Sequence, residues 1–135
     1  MINAATKLSV RRRAGGRCEY CHLPEAAADA PFHVEHVRAK QHGGGDDEAN
    51  LALACDRCNL HKGPNITAFD PDTDAVVLLF HPRRDRWQDH FRFDGPALVG
   101  LTPTGRAAVR LLNMNAPQRV RLRDALMRAG EMPGS

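Results

Sequence analysis

The chain has 135 residues, 42% hydrophobic and 26% charged, the balance of an ordinary soluble domain with one modest core. Its longest apolar run, residues 75–80, is far too short to span a bilayer. The absence of an apolar segment after Met1 argues against a secretory signal and for a cytoplasmic location. The formal charge is only +3, but the basic residues crowd the ends: residues 1–17 carry Lys7, Arg11, Arg12, Arg13 and Arg17 with no acid, and 106–128 carry six arginines against Asp124 alone. Basic ends around a more acidic middle suit a polyanion partner. Arginine bias from codon usage is the competing explanation.

Residues 6–14 read as a short helix with Leu8 as its apolar contact, stopped by Gly15-Gly16. Arg11, Arg12 and Arg13 spread over about 200° of such a helix and cannot all face one ligand. Residues 32–37 alternate apolar and polar, as a strand does, and the Gly-Gly-Gly-Asp-Asp stretch at 43–47 is a loop. Residues 50–54 return as a second strand, and a helix over 56–62 stops at Gly63-Pro64. Residues 64–74 read as a loop and 75–80 as a buried strand. The basic-aromatic stretch 81–93 either lines a nucleic-acid groove or packs Trp87 and Phe91 into the core; with aromatics at 5%, aromatic packing is not expected to carry that core. Thr102-Pro103 opens a helix to about 113. A last helix over 117–128 offers Val120, Leu122, Leu126 and Met127 as its apolar set, ahead of a frayed tail at 130–135.

All four cysteines lie in two C-x-x-C pairs, Cys18/Cys21 and Cys55/Cys58. Two such pairs complete a tetrahedral four-cysteine zinc site with no open position, which is structural rather than catalytic. The disulfide alternative needs an oxidising compartment that nothing here indicates. The 33 residues between the pairs exceed the spacing of a compact zinc ribbon, so the metal clips the ends of an inserted strand-loop-strand-helix element. Five of the seven histidines fall within residues 22–61.

The set C-E-Y-C at 18–21, H-V-E-H-V at 33–37, G-G at 43–44, N-L at 50–51 and C-D-R-C-N-L-H-K-G at 55–63 resembles the HNH endonucleases of the His-Me finger (ββα-metal) group. The resemblance implies an α+β fold. A small ββα-metal nuclease core (about 18–63) would be clipped by the four-cysteine zinc site, with an N-terminal helix and a C-terminal strand-plus-helices extension (about 75–128) in a single domain, 1–135. It also implies a metal-dependent endonuclease acting on DNA, with RNA as a further possible substrate and no membrane partner. His36 would be the general base. Glu35, one methylene longer than the family's usual Asp, and Asn59 would be ligands of a catalytic Mg²⁺ or Mn²⁺. Asn50 would steady the loop and orient the histidine. His33 shares the Glu35 strand face and is an accessory candidate. Lys40 and Lys62 either meet phosphate or are solvated.

Two other classes fit parts of the pattern: a non-catalytic zinc-stabilised nucleic-acid-binding module, and a zinc-held protein-interaction domain. Binding alone needs neither Glu35-His36 nor Asn50 and Asn59, so those four residues discriminate.

Overall fold

The computed structural model describes residues 2–133. It is a small α+β structure of five α-helices, three short 3-10 turns and three two-stranded antiparallel sheets among the described residues. Helix α1 (Ala4–Ala14) begins two residues earlier than its sequence pattern suggests, because the Asn3 side chain accepts the Thr6 N–H at 2.8 Å and caps it. Val10 is its buried contact, while Leu8, the expected one, is 49% exposed.

Strands β1 (His33–His36) and β2 (Leu51–Ala54) pair antiparallel, placing His36 opposite Leu51 and Glu35 opposite Ala52. Every residue of β2 is buried, as expected of a strand sandwiched between α1 and the cysteine turns. The connecting loop is held by Asn50, whose amide donates to the Arg38 and Gly45 carbonyls and whose oxygen accepts the Arg38 N–H, each at 2.9 Å. Gly44 sits beneath this clamp, where a Cβ would fall 1.8 Å from the Arg38 carbonyl oxygen, so no larger residue fits without moving the loop. Helix α2 (Asp56–Lys62) follows directly, capped by Cys55.

The C-terminal part departs from expectation in several places. The segment 64–74 is not all loop: β3 (Thr67–Phe69) pairs with β4 (Val76–Leu78). The apolar run 75–80 is not a buried strand. Val76 and Leu78 are 60% and 68% exposed on a free hairpin face, and burial begins only at Leu79 and Phe80. A short α3 (Trp87–His90) then leads into a hairpin of β5 (Phe91–Asp94) and β6 (Ala97–Gly100), which the basic-aromatic composition of the stretch conceals. Its aromatics pack inward: Phe91 is 1% exposed, and its ring lies 5.1 Å from Phe80 and 5.3 Å from Trp87. Five of the seven aromatics, Tyr20, Phe80, Trp87, Phe91 and Phe93, are thus gathered into one hub. The Trp87 indole N–H also donates to the Tyr20 carbonyl at 2.9 Å, tying the hub to the first cysteine turn. A single cluster of buried side chains runs from Val10 through Leu51 and Leu53 to Phe91, Leu112 and Met114.

Helix α4 (Pro103–Leu111) is capped by Thr102, whose hydroxyl accepts the Gly105 N–H at 3.0 Å. Helix α5 (Pro117–Arg128) presents a different face from the expected apolar set. Of that set only Leu126 is buried; Leu122 is 38% exposed, while Arg119 and Arg123 point inward at 8% and 1%. The tail is partly docked, with Met132 at 3% exposure. Gly134 and Ser135 lie outside the described residues.

About half of the basic residues at the two ends are fasteners within the fold. Arg11 donates to the Phe32 carbonyl and pairs with Glu25, and Arg13 donates to the carbonyls of Glu48 and Leu51. Arg106 grips the fully buried Asp70 with two bonds of 2.9 Å, and Arg128 pairs with Asp124. Together with Arg119 and Arg123, these contacts absorb much of the charge that the sequence distribution offers to a polyanion.

Candidate active site and cysteine centre

Cys18 and Cys21 lie on the turn after α1, and Cys55 and Cys58 open α2. All four are between 0% and 3% exposed, and their sulfurs lie within 4.8 Å of one another. The Cys21–Cys55 separation is 3.7 Å, too long for a disulfide. It matches the edge, about 3.8 Å, of a tetrahedron built on a Zn–S bond of about 2.3 Å. Each pair adds a backbone N–H···S contact within its own turn, Cys21 to Cys18 at 3.5 Å and Cys58 to Cys55 at 3.4 Å. The cluster therefore fits a zinc-type ion with four thiolates. Among the described residues no other group of three or more His, Cys, Asp or Glu could hold a metal.

Beside this centre an open groove of about 400 Å³ is lined by His33, Glu35, His36, Lys40 and Asn59. Three of the predicted site residues therefore share one surface. The strand alternation that would separate Glu35 from His36 is present. Glu35 turns inward at 8% exposure, and His36 is half-buried on the other face. Both still border the groove because β1 ends at His36.

The Glu35 carboxylate accepts the Tyr20 O–H on one oxygen and pairs with the Lys62 ammonium at 3.3 Å on the other. Burial pushes its carboxyl pKa above the usual value, and Lys62 and Tyr20 offset this only in part. The Tyr20 hydroxyl is itself driven up by burial and by the Glu35 charge. Two contacts leave the carboxylate with unused lone-pair capacity. The extra methylene relative to Asp supplies reach to Tyr20 and Lys62.

Lys62 is neither solvated nor aimed at phosphate. At 2% exposure its ammonium donates to the His36 and Val37 carbonyls, at 3.2 and 2.8 Å, besides pairing with Glu35. It pins the end of α2 to the end of β1. Lys40 stays exposed and pairs with Asp46 at 3.3 Å.

The His36 ring contacts Asp46 through Nε2 at 2.7 Å. That hydrogen bond, helped by Lys40, holds the Asp46 carboxyl well below the usual carboxylate range. Asn50 does not touch the ring; it fastens Gly45, the residue before Asp46, and so steadies the loop that carries the histidine's partner. Asn59 lies on α2 with its backbone in the helix, and among the described residues no hydrogen bond engages its side-chain amide. His33 lines the groove but is exposed and pairs with Asp56 at 3.2 Å.

Sequence reading missed Asp46, Tyr20, the internal use of Lys62, and Arg119, whose guanidinium reaches Cys58 Sγ at 3.0 Å and Cys55 Sγ at 3.8 Å. Tyr20 sits inside a quoted motif and Asp46 beside one. The contact of Arg119, far along the chain, leaves no trace in spacing.

Comparison with known proteins bears on residues 18–65, which match the family model described as HNH endonuclease. Across 84% of its length the chain is similar to the Septu protein PtuA of Bacillus mycoides (strain KBAB4), at 23% identity. It spans only 20% of that relative's length. No solved structure matches.

Proposed function

We propose that this chain, whose residues 18–65 are an HNH endonuclease domain, is a metal-dependent endonuclease that hydrolyses DNA phosphodiester bonds, and that residues 1–135 fold as one unit around that domain. Nuclease-type function and a nucleic-acid substrate come with the family match; DNA, the catalytic residues and the cation are the further reading. Its main support is the groove shared by His36, Glu35 and Asn59.

In this reading His36 is the general base. With Nε2–H donated to the Asp46 carboxylate, the ring takes the tautomer whose Nδ1, unengaged among the described residues, accepts a proton from water. Asn50 holds the loop so that Asp46 stays in place. Glu35 and Asn59 offer oxygen ligands, the kind that Mg²⁺ or Mn²⁺ prefers, while the four thiolates suit zinc, so the two metals do not compete. A bound Mg²⁺ or Mn²⁺ supplies positive charge against the charge developing on the phosphate and the leaving oxygen. Glu35 also keeps Lys62 neutralised, and Lys62 in turn holds the backbone of His36.

The test is incubation of the pure protein with supercoiled plasmid and Mg²⁺ or Mn²⁺, with and without EDTA, beside a labelled RNA. Nicked or linear plasmid that disappears with EDTA is the expected result. Plasmid bound but uncut would favour the non-catalytic module, and cleavage of RNA alone would move the substrate. Asn59→Ala is expected to impair cleavage while elemental analysis finds the cysteine-bound metal unchanged. Full activity in that variant would move the ligand elsewhere, with His33 the first candidate.

A further inference from the structure

Arg119 is a buried cation without a carboxylate. It is 8% exposed, and no Asp or Glu among the described residues pairs with it. One guanidinium nitrogen, Nη1, donates to the carbonyls of Leu112 and Asn113. The other, Nη2, donates to sulfur: Cys58 at 3.0 Å and Cys55 at 3.8 Å. One turn further along α5, Arg123 is 1% exposed and also lacks a carboxylate among the described residues; its partners are the carbonyls of Pro96 and Met114 and the Asn115 side chain.

Burying a charge is unfavourable unless an opposite charge or a full set of hydrogen bonds compensates it. Among the described residues, the only anionic group Arg119 touches is the cysteine cluster. Four thiolates around one divalent zinc carry a net double negative charge. That centre is itself buried, so it needs cations nearby as much as the arginines need an anion.

We propose that α5 is a component of the metal centre: Arg119 donates N–H···S hydrogen bonds to the Cys58 and Cys55 thiolates, and with Arg123 it balances the charge of the filled four-thiolate site. This rests on the cysteine centre holding zinc and is independent of the nuclease reading. It gives the C-terminal extension a chemical role. The extension meets the metal site where Cys21, Cys55, Arg119 and Arg123 line a shared cavity of about 370 Å³. Such supporting contacts to ligating atoms typically change metal affinity about 10–100-fold.

The test compares wild type, Arg119→Met, Arg119→Lys and Arg121→Ala, all full length. Arg121 is exposed on the same helix and, among the described residues, its side chain makes no hydrogen bond or ion pair, so it controls for net charge. Zinc release into excess chelator, followed with a colorimetric zinc indicator, is expected to be roughly 10–100-fold faster in Arg119→Met, with Arg119→Lys intermediate and Arg121→Ala unchanged. In cobalt-substituted protein the sulfur-to-metal charge-transfer band is expected to move to longer wavelength in both Arg119 variants, because N–H donation lowers the energy of the sulfur lone pairs. If Arg119→Met does not fold, the cobalt band of Arg119→Lys decides. Wild-type release and an unshifted band in the Arg119 variants would overturn the proposal. Wild-type protein that carries no zinc would overturn the premise instead.

Discussion

His36→Ala is expected to fold, keep its cysteine-bound metal and bind DNA, yet cleave about 10²–10⁴-fold more slowly, the usual loss on removing a positioned general base. Binding and chemistry separate because phosphate contacts from arginine and lysine do not use this imidazole. The half-buried ring lies at the end of β1, so truncating it removes no core packing. Single-turnover plasmid cleavage measured beside a DNA mobility shift separates the two quantities. Wild-type cleavage by His36→Ala, with the same metal dependence, would remove the histidine from the mechanism.

Cys55→Ser is expected to lose both metal and fold. Structural zinc in finger peptides contributes about 10–16 kcal/mol, as much as or more than the whole stability of a typical domain, about 5–15 kcal/mol. Cys55 also caps α2 through its sulfur, but serine is itself a good cap, so the substitution leaves that helix start supplied and reports on the metal. Elemental analysis and circular dichroism read the two losses. A folded Cys55→Ser protein with a full zinc complement would place the metal elsewhere.

The parts of this structure legible in the sequence are those whose signals are local. Helix α2 lies between a cysteine pair and Gly63-Pro64, and α4 opens at Thr102-Pro103; both boundaries follow from cap and stop chemistry. β1 and β2 were legible from alternation and from the loop between them. The strands that escaped, β3, β5 and β6, are only three or four residues long, too short for a pattern to stand out; β3 and β6 carry no polar alternation, and the alternation of β5 sits inside a basic-aromatic stretch. On α5 the general preference of arginine for the surface misleads, because its inner face meets sulfurs and backbone carbonyls that need donors rather than methyl groups. The same division runs through the site. Glu35, His36, Asn50 and Asn59 were named from motif order. The contacts of Asp46, Tyr20 and Lys62 depend on which side chains meet in space, and spacing does not encode that.

The inward-turned arginines bear on the thermodynamics of any nucleic-acid complex. Each phosphate neutralised releases condensed counterions, giving a slope of log K against log salt of about −0.9 per contact on duplex DNA. Nineteen basic residues would suggest a steep dependence. Arg11, Arg13, Arg106, Arg119 and Arg123 are already committed to carbonyls, carboxylates or thiolates. Lys62 is committed as well. Releasing them would dismantle the core. The slope should therefore be shallower than the full count implies, at most about −12 for the thirteen basic residues left rather than about −17. A titration clearly steeper than about −12 would mean that these internal pairs open when the duplex binds, and that the free and bound proteins differ in their cores as well as at their surfaces.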